Sequence, residues 1–330
     1  MRIGIIGGGP AGVFTARKLK ALMPEADIVL FEAAAYGFYA KIRLPECLAG
    51  TLPQDKLVMA TAEKLVSEGI DYRVATVVSV DAPAHKVVTA DGKEEIFTAL
   101  IFATGASAAV PPIPGLAECK QLATLRTLDD IAKMQDKIAA GEKAVVIGGG
   151  VLGLEAAFAL QKRGMDVSVL ECMSGLMQNL NFSAGKSQTL KELLEQYGLH
   201  IYTGTRIQNV SGGENVAVVE LESGEKFECS LLLVSAGIRS NIQLAMQAGL
   251  ECKRGICVNN RLETNISGVY AIGDCAEQNG ACGGLWIAAK NQGEALAEII
   301  AGKREEYIYP ASKPILKIAG VDLSSLAKID

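Results

Sequence analysis

A glycine-rich pattern that occurs twice constrains this chain more than any other feature. Gly7-Gly8-Gly9-Pro10-Ala11-Gly12 and Gly148-Gly149-Gly150-Val151-Leu152-Gly153 both read GxGxxG. Each follows an apolar, strand-like run, Ile3 to Ile6 or Ala144 to Ile147, and each opens a helix-like segment, Val13 to Leu22 or Leu154 to Gln161. In that setting the first glycine permits a tight turn, the second lets backbone N–H groups approach a diphosphate, and the third lets helix and strand pack closely. The helix N-terminus, with free N–H groups and partial positive charge, then holds the anion. In both units the next strand ends in an acid: Ile28 to Phe31 then Glu32, and Val167 to Leu170 then Glu171. Such a carboxylate, about 20 residues past the loop, accepts hydrogen bonds from ribose hydroxyls. One loop alone could be an ordinary glycine turn in an α/β sheet. Two loops in full strand, turn, helix, strand, acid context point to two dinucleotides.

The length of 330 residues suits about two domains of about 150 residues each. Apolar residues make up 49% and charged residues 21%, enough for a large buried core. A net charge of -5 and the lack of any Lys or Arg block argue against nucleic-acid binding. The chain starts directly in its first strand and has no run of 18 apolar residues, so neither a signal peptide nor a membrane span is expected, and a cytoplasmic location is. The eight cysteines are scattered and read as reduced thiols. Cys252 and Cys257 have CxxxxC spacing but flank Lys253-Arg254-Gly255, a surface turn. His85 and His200 lie at expected turns or junctions, and no metal site or Ser-His-Asp set is visible.

Between the loops run a loop-like stretch, Tyr36 to Pro53, an amphipathic segment, Asp55 to Glu68, and strands near Tyr72 to Val80 and Lys86 to Thr89. Leu100 to Ala103 ends at Thr104-Gly105, and Pro111, Pro112 and Pro114 mark a linker. The second unit closes in the same manner, with Leu231 to Val234 and then Ser235-Ala236-Gly237. A further strand, Val269 to Ile272, leads to Gly273-Asp274, and a helical segment spans Leu285 to Ala301.

These landmarks, in this order, resemble the FAD-dependent pyridine nucleotide-disulfide oxidoreductase superfamily, flavoproteins with two dinucleotide-binding domains. The resemblance covers about residues 1 to 305 and rests on five motifs: the Gly7 loop with Glu32, the Ala103-Thr104-Gly105 turn, the Gly148 to Glu155 run, the Leu231 to Gly237 closing turn, and Gly273-Asp274. It implies an α/β fold of two Rossmann-like domains, each a three-layer FAD/NAD(P)-binding fold, with the NAD domain inserted in a discontinuous FAD domain. FAD would take 1–110 and 240–305, NAD 111–239, and 306–330 would begin a truncated interface-type domain.

The resemblance also assigns residues. FAD would be held by Gly7, Gly9, Pro10, Ala11 and Gly12, by Glu32 and Ala33, and by Val77. Ala103, Thr104 and Gly105 close the site, Gly273 and Asp274 serve the ribitol, and Leu285 and Trp286 open the helix aimed at the flavin pyrimidine. Trp286 beside the flavin ring and core filling are both open for that residue, and Lys41 is either a contact to flavin N5 or O4 or a solvated loop lysine. NAD would lie on Gly148, Gly150, Val151, Leu152 and Gly153, with Glu155 positioning the nicotinamide, Glu171 on the ribose, and Gly237 closing. Glu171 repels a 2′-phosphate and Cys172 to Gln178 hold no Arg or Lys, so NADH is expected over NADPH.

No CxxxxC or CxxC pair occupies its place in this chain. The loop Tyr39 to Gly50 has a single cysteine, Cys47, and is similar to that of NADH:rubredoxin reductases and the N-terminal part of nitrite reductase large subunits. Thr124 to Asp130 and Leu316 to Asp322 support that subgroup, while Asn179 and Asn181 replace its usual Arg and Asp. The implied activity is a FAD-dependent NADH oxidoreductase that passes electrons to a small redox protein, rubredoxin or ferredoxin-like. Alternatives are a Cys47-dependent NADH oxidase, peroxidase or coenzyme A disulfide reductase, and a flavoprotein subunit of a larger electron-transfer complex. The oligomeric state is left open.

Overall fold

The computed structural model of the chain describes residues 1–178, 182–309, 317–318 and 321–322. These divide into two compact units. The first comprises Met1–Ala40, Val58–Ser107 and 238–309; the second comprises Lys41–Leu57, Ala108–Gly237 and the short strands at 317–318 and 321–322.

Five parallel strands form the sheet of the first unit, in the order Val269–Ala271, Ala99–Phe102, Arg2–Ile6, Asp27–Glu32, Asp71–Val74. Ile6 pairs with Phe31 on one side and Phe102 on the other. The three central strands, Ala99–Phe102, Arg2–Ile6 and Asp27–Glu32, carry continuous buried runs without alternation because both faces are covered. On one face Ile3, Ile5 and Leu30 are buried with Leu19 of the helix Pro10–Leu22 and Leu296 of the helix Trp286–Ile300. On the other, Phe31 and Phe102 are buried with Val80, Val87 and Phe97, which belong to or adjoin an antiparallel meander of Val77–Asp81, Lys86–Thr89 and Glu94–Ile96.

The second unit repeats the plan. Its parallel sheet runs Leu122–Ala123, Leu231–Val234, Lys143–Ile147, Asp166–Glu171, His200–Thr203. The helix Val151–Lys162 follows its central strand, and a second meander of Ile207–Gly212, Ala217–Leu221 and Lys226–Cys229 buries Val210 and Val219 with Val145, Leu170 and Leu232. The α/β, Rossmann-like architecture expected from the sequence is therefore present twice.

The amphipathic stretch Asp55 to Glu68 contains a strand, Val58–Ala60, paired with Phe38–Tyr39, and then a helix, Ala62–Ser67. Thr61 sets that start, its side chain accepting from the Lys64 N–H. The excursion Lys41–Leu57 clusters with the second unit. Its helix Leu44–Leu48 packs against Val151–Lys162 and Leu128–Met134, Leu44 and Leu48 are buried, and Arg163 donates from Nη1 to the Leu48 carbonyl at 3.3 Å.

Candidate functional site

Three glycines of each loop answer to three different constraints. Gly7 has φ +118°, and a Cβ there would lie 2.2 Å from the Ala103 carbonyl oxygen; Gly148 has φ +115° and would meet the Ser235 carbonyl at 2.4 Å. Both the backbone angle and the space exclude a side chain. The third glycines, Gly12 and Gly153, are excluded by space alone, since a Cβ would lie 2.0 Å from the Gly7 carbonyl and 2.1 Å from that of Gly148.

The middle glycines differ. Gly9 and Gly150 have ordinary φ values of -74° and -86°, and a Cβ at either would meet nothing within 4 Å. Nothing in the fold itself demands glycine there. Each is the N-cap of its helix, Pro10–Leu22 or Val151–Lys162, and neither helix end carries a side-chain cap. Open space before an uncapped helix N-terminus is what a diphosphate requires, so both loops fit a dinucleotide.

The acids hold the middle of each loop. Glu32 Oε2 accepts from the Gly8 N–H at 2.7 Å, and Glu171 Oε2 from the Gly149 N–H at 2.6 Å. Glu32 Oε1 accepts from the Ala34 N–H at 3.1 Å. Glu171 Oε1 accepts from the Met173 N–H at 2.8 Å and from the Cys172 thiol at 3.4 Å. Both acids are half-buried. A carboxylate offers about four lone-pair sites, so each keeps acceptor capacity for a ribose hydroxyl.

In the first unit several assigned residues gather at the C-terminal ends of the parallel strands, where open α/β sheets bind ligands. Ala103, Thr104 and Gly105 follow Ala99–Phe102, and Gly105 has φ +68°. Gly273 has φ +74°; its N–H donates to the buried Gln292 Oε1 at 2.6 Å, and a Cβ would lie 2.9 Å from Ala11 Cβ. This brings the Gly273-Asp274 turn against the Gly7 loop's helix. Asp274 is half-buried, and its backbone carbonyl accepts from Ser240 Oγ at 2.7 Å. Leu285 caps the helix Trp286–Ile300, whose Gly293 meets the first helix so closely that a Cβ would lie 2.5 Å from the Ala11 carbonyl. Trp286 stacks on Phe38 with centroids 5.5 Å apart and rings at 17°, which gives the indole a packing partner. Ala33 is exposed, and Val77 is half-buried in the first meander.

In the second unit Val151, Leu152 and Glu155 are half-buried on the helix after the loop, and Gly153 is buried. Gly237 is exposed at φ +98°, and its carbonyl accepts from the Ala109 N–H at 3.0 Å. Lys41 opens the excursion, half-buried, in the short turn Lys41–Arg43. Cys47 is only 6% exposed, and burial pushes its thiol pKa up, opposite to what a reactive thiolate needs. His85 bonds the Ser267 carbonyl through Nε2 at 2.9 Å, and His200 pairs with Asp166 at 3.0 Å; neither belongs to a loop site. Asn179 and Asn181 lie outside the described residues, as do Leu316, Ala319 and Gly320 of the Leu316 to Asp322 motif. Lys317–Ile318 and Val321–Asp322 pair antiparallel.

Sequence reasoning missed Asn241. Its side chain donates to the Thr104 carbonyl at 2.9 Å and accepts from Ser107 Oγ at 2.7 Å; its carbonyl accepts from Thr104 Oγ1 at 2.8 Å and its N–H donates to the Gly105 carbonyl at 3.0 Å. Four bonds thus fix the turn that closes the first loop's strand. Gln292 and Gly293 were missed for the same reason: their partners lie far away in sequence.

Among the described residues no helix is long and apolar enough to cross a membrane and no group of three or more His, Cys, Asp or Glu side chains is placed to hold a metal ion. A family model described as pyridine nucleotide-disulphide oxidoreductase matches residues 1–293. The chain is 35% identical over 331 residues to the assimilatory nitrate reductase electron transfer subunit of Bacillus subtilis, covering 99% of this chain and 43% of that one. It is 30% identical over 337 residues to the rubredoxin-NAD(+) reductase of Acinetobacter baylyi, covering 98% of this chain and 84% of that one. Among solved structures, the NAD-dependent persulfide reductase from A. fulgidus aligns with a TM-score of 0.90 at 28% identity, over 97% of this chain and 62% of that one. The chain spans less than half the length of the nitrate and nitrite reductase relatives that it matches.

Proposed function

The chain belongs to the pyridine nucleotide-disulphide oxidoreductase family, and from that premise we propose that it is a flavin-dependent NADH oxidoreductase that hands electrons to an external acceptor. The observation that carries this reading is the duplicated cradle: an uncapped helix N-terminus behind a glycine that the fold does not need, with an acid bonded to the loop beside it. FAD takes the Gly7 cradle, where the Gly273-Asp274 turn supplies a second acceptor for a polyol. NADH takes the Gly148 cradle, with Glu155 on the following helix set to position the nicotinamide. FAD held there would supply the redox chemistry, two-electron exchange with a nicotinamide and one-electron exchange with the acceptor.

The protein's own contribution is binding and orientation. Backbone N–H groups and the two helix dipoles neutralise the diphosphates without a basic patch. Glu171 accepts from a ribose 2′-hydroxyl and repels a 2′-phosphate, which favours NADH. The acceptor is a small one-electron redox protein, rubredoxin or ferredoxin-like; the support is the rubredoxin-NAD(+) reductase of which this chain spans 84%. A second reading, a flavoprotein subunit that works within a larger assembly, is favoured by the electron transfer subunit of which it spans only 43%. A Cys47-centred peroxidase or disulfide reductase is disfavoured by the burial of that thiol.

The deciding experiment is an absorbance spectrum of purified protein, an anaerobic NADH titration, and reoxidation by a panel of acceptors. Flavin that is bleached by NADH and reoxidised fastest by rubredoxin supports the first reading. Reduction by NADH with no turnover on any small acceptor supports the second, and a protein that neither carries nor takes up flavin defeats both.

A further inference from the structure

Met177 stands out among the residues bordering the second loop. It has φ +60°, a left-handed conformation that side-chain-bearing residues seldom adopt and that is strained for a long side chain. It is also 2% exposed, directly after the fully buried Leu176. The strain is not spread into solvent; it is held in place from several directions. A Cβ on Gly175 would come within 2.4 Å of the buried Ser187 Oγ, and one on Gly149 within 2.6 Å of Leu176 Cδ2, so the segment is wedged between a helix and the phosphate loop. Outside that wedge, Ser174 and Gln178 bond each other at 3.0 Å. The product of this arrangement is one bond: the Met177 N–H donates to the Gly149 carbonyl at 3.1 Å. Gly149 is thereby held at both ends, its N–H by Glu171 Oε2 at 2.6 Å and its carbonyl by Met177.

We propose that Met177 is a positioning residue for the pyridine nucleotide: its buried side chain pins a left-handed backbone that fixes the Gly149 peptide, and with it the N–H groups that receive the diphosphate. This rests on the reading of the Gly148 loop as the NAD(H) site. Strain that the surroundings over-determine tends to cluster at ligand clamps, and a glycine at this position would satisfy the same backbone angle without strain. That glycine is absent, which ties the geometry of the loop to a buried side chain.

The test measures NAD+ binding to the oxidised holoenzyme by calorimetry, with flavin content and melting temperature recorded separately. Met177→Ala keeps the strain and loses the pin, so the backbone relaxes and NAD+ binds about tenfold more weakly. Met177→Gly loses the pin but has no strain to relax, so its NAD+ affinity stays within about threefold of the parent despite the greater flexibility. A merely structural side chain gives the opposite order, because glycine is the more flexible replacement. Equal affinities for the two variants, or weaker binding by Met177→Gly, overturn the proposal. Should either variant not yield holoenzyme, Met177→Asn and Met177→Gln read the same contrast, since Asn tolerates the left-handed region and Gln does not; Asn must then bind better. A parent holoenzyme that binds no NAD+ overturns the proposal along with the NAD(H) reading, a result distinct from equal affinities among variants.

Discussion

Gly7 and Gly148 sit at almost the same backbone angle, φ +118° and +115°, each pressed against a carbonyl at the end of the adjoining strand, whereas the chain after the two acids takes different paths. Beyond Glu32 the positive-φ residue is a glycine, Gly37 at +71°; beyond Glu171 it is Met177 at +60°. Glu32 Oε1 has one backbone donor, while Glu171 Oε1 has a backbone donor and a thiol. What a dinucleotide needs is the same in both units: the turn, the uncapped helix end, the acid on the loop. What each unit needs for its own packing has diverged. Nucleotide chemistry is therefore the constraint the two halves share, and core packing is where they are free to differ.

The comparison can be broken most severely at the first glycines. Gly7→Ala and Gly148→Ala combine a forbidden angle with a backbone clash, and each should cost about 3 kcal/mol or more of stability by denaturant unfolding. If one loop accepted alanine, the two turns would not be equivalent. Gly9→Ala and Gly150→Ala sharpen the comparison instead. Neither new Cβ meets protein, so stability should stay within about 0.5 kcal/mol, while FAD affinity for the first and NAD+ affinity for the second should fall about tenfold or more. Loss of the other nucleotide in either case would reverse the assignment of FAD and NAD(H).

Charge is the next test. Glu32→Gln and Glu171→Gln replace charge-assisted bonds to Gly8 and Gly149 with weaker ones, and should each weaken the matching nucleotide by about tenfold. The Glu171 variant alone should also narrow the preference for NADH over NADPH in stopped-flow flavin reduction. Faster reduction of the parent by NADPH than by NADH would refute the role given to Glu171. The smallest effect is expected at Cys47. Cys47→Ser should cost about 1 kcal/mol, from a buried hydroxyl in place of a thiol, and leave turnover with every acceptor unchanged.

An alkaline effect belongs to the second unit's core. Burial raises the Cys229 thiol from its ordinary 9.0 to about 12. The folded state therefore favours the neutral form, and the stability this contributes is complete below about pH 9 and lost as pH rises toward about 12. Cys229→Ala should flatten that part of the stability curve; an unchanged slope would mean that other groups dominate it.

Much of the duplicated plan was legible in the sequence because it is written in short-range patterns: apolar strands, glycine turns, an acid at a fixed distance. Gly9, Gly150, Glu32 and Glu171 could be found this way. Asn241 could not, because its bonds reach back to Thr104 and Ser107 across the whole of the second unit. Gln292 and Gly293 escape for the same reason, and Met177 because nothing in the residue type announces a left-handed backbone. The association of Lys41–Leu57 with the second unit goes with the packing of the helix Leu44–Leu48 on the helix Val151–Lys162, a match between faces that no local pattern displays.

The order of strands in the first sheet sets a timetable for the ribosome. Arg2–Ile6 and Pro10–Leu22 emerge first, yet the edge strand Val269–Ala271 and the helix carrying Gly293 against Ala11 emerge only after the whole of Ala108–Gly237. The nascent first half must therefore wait, with one face of its opening helix uncovered, while the inserted half completes its own parallel sheet and meander from nearly contiguous chain. Folding during synthesis would then begin in the middle and finish at the ends, and the Gly7 cradle, though encoded first, would be the later of the two to close.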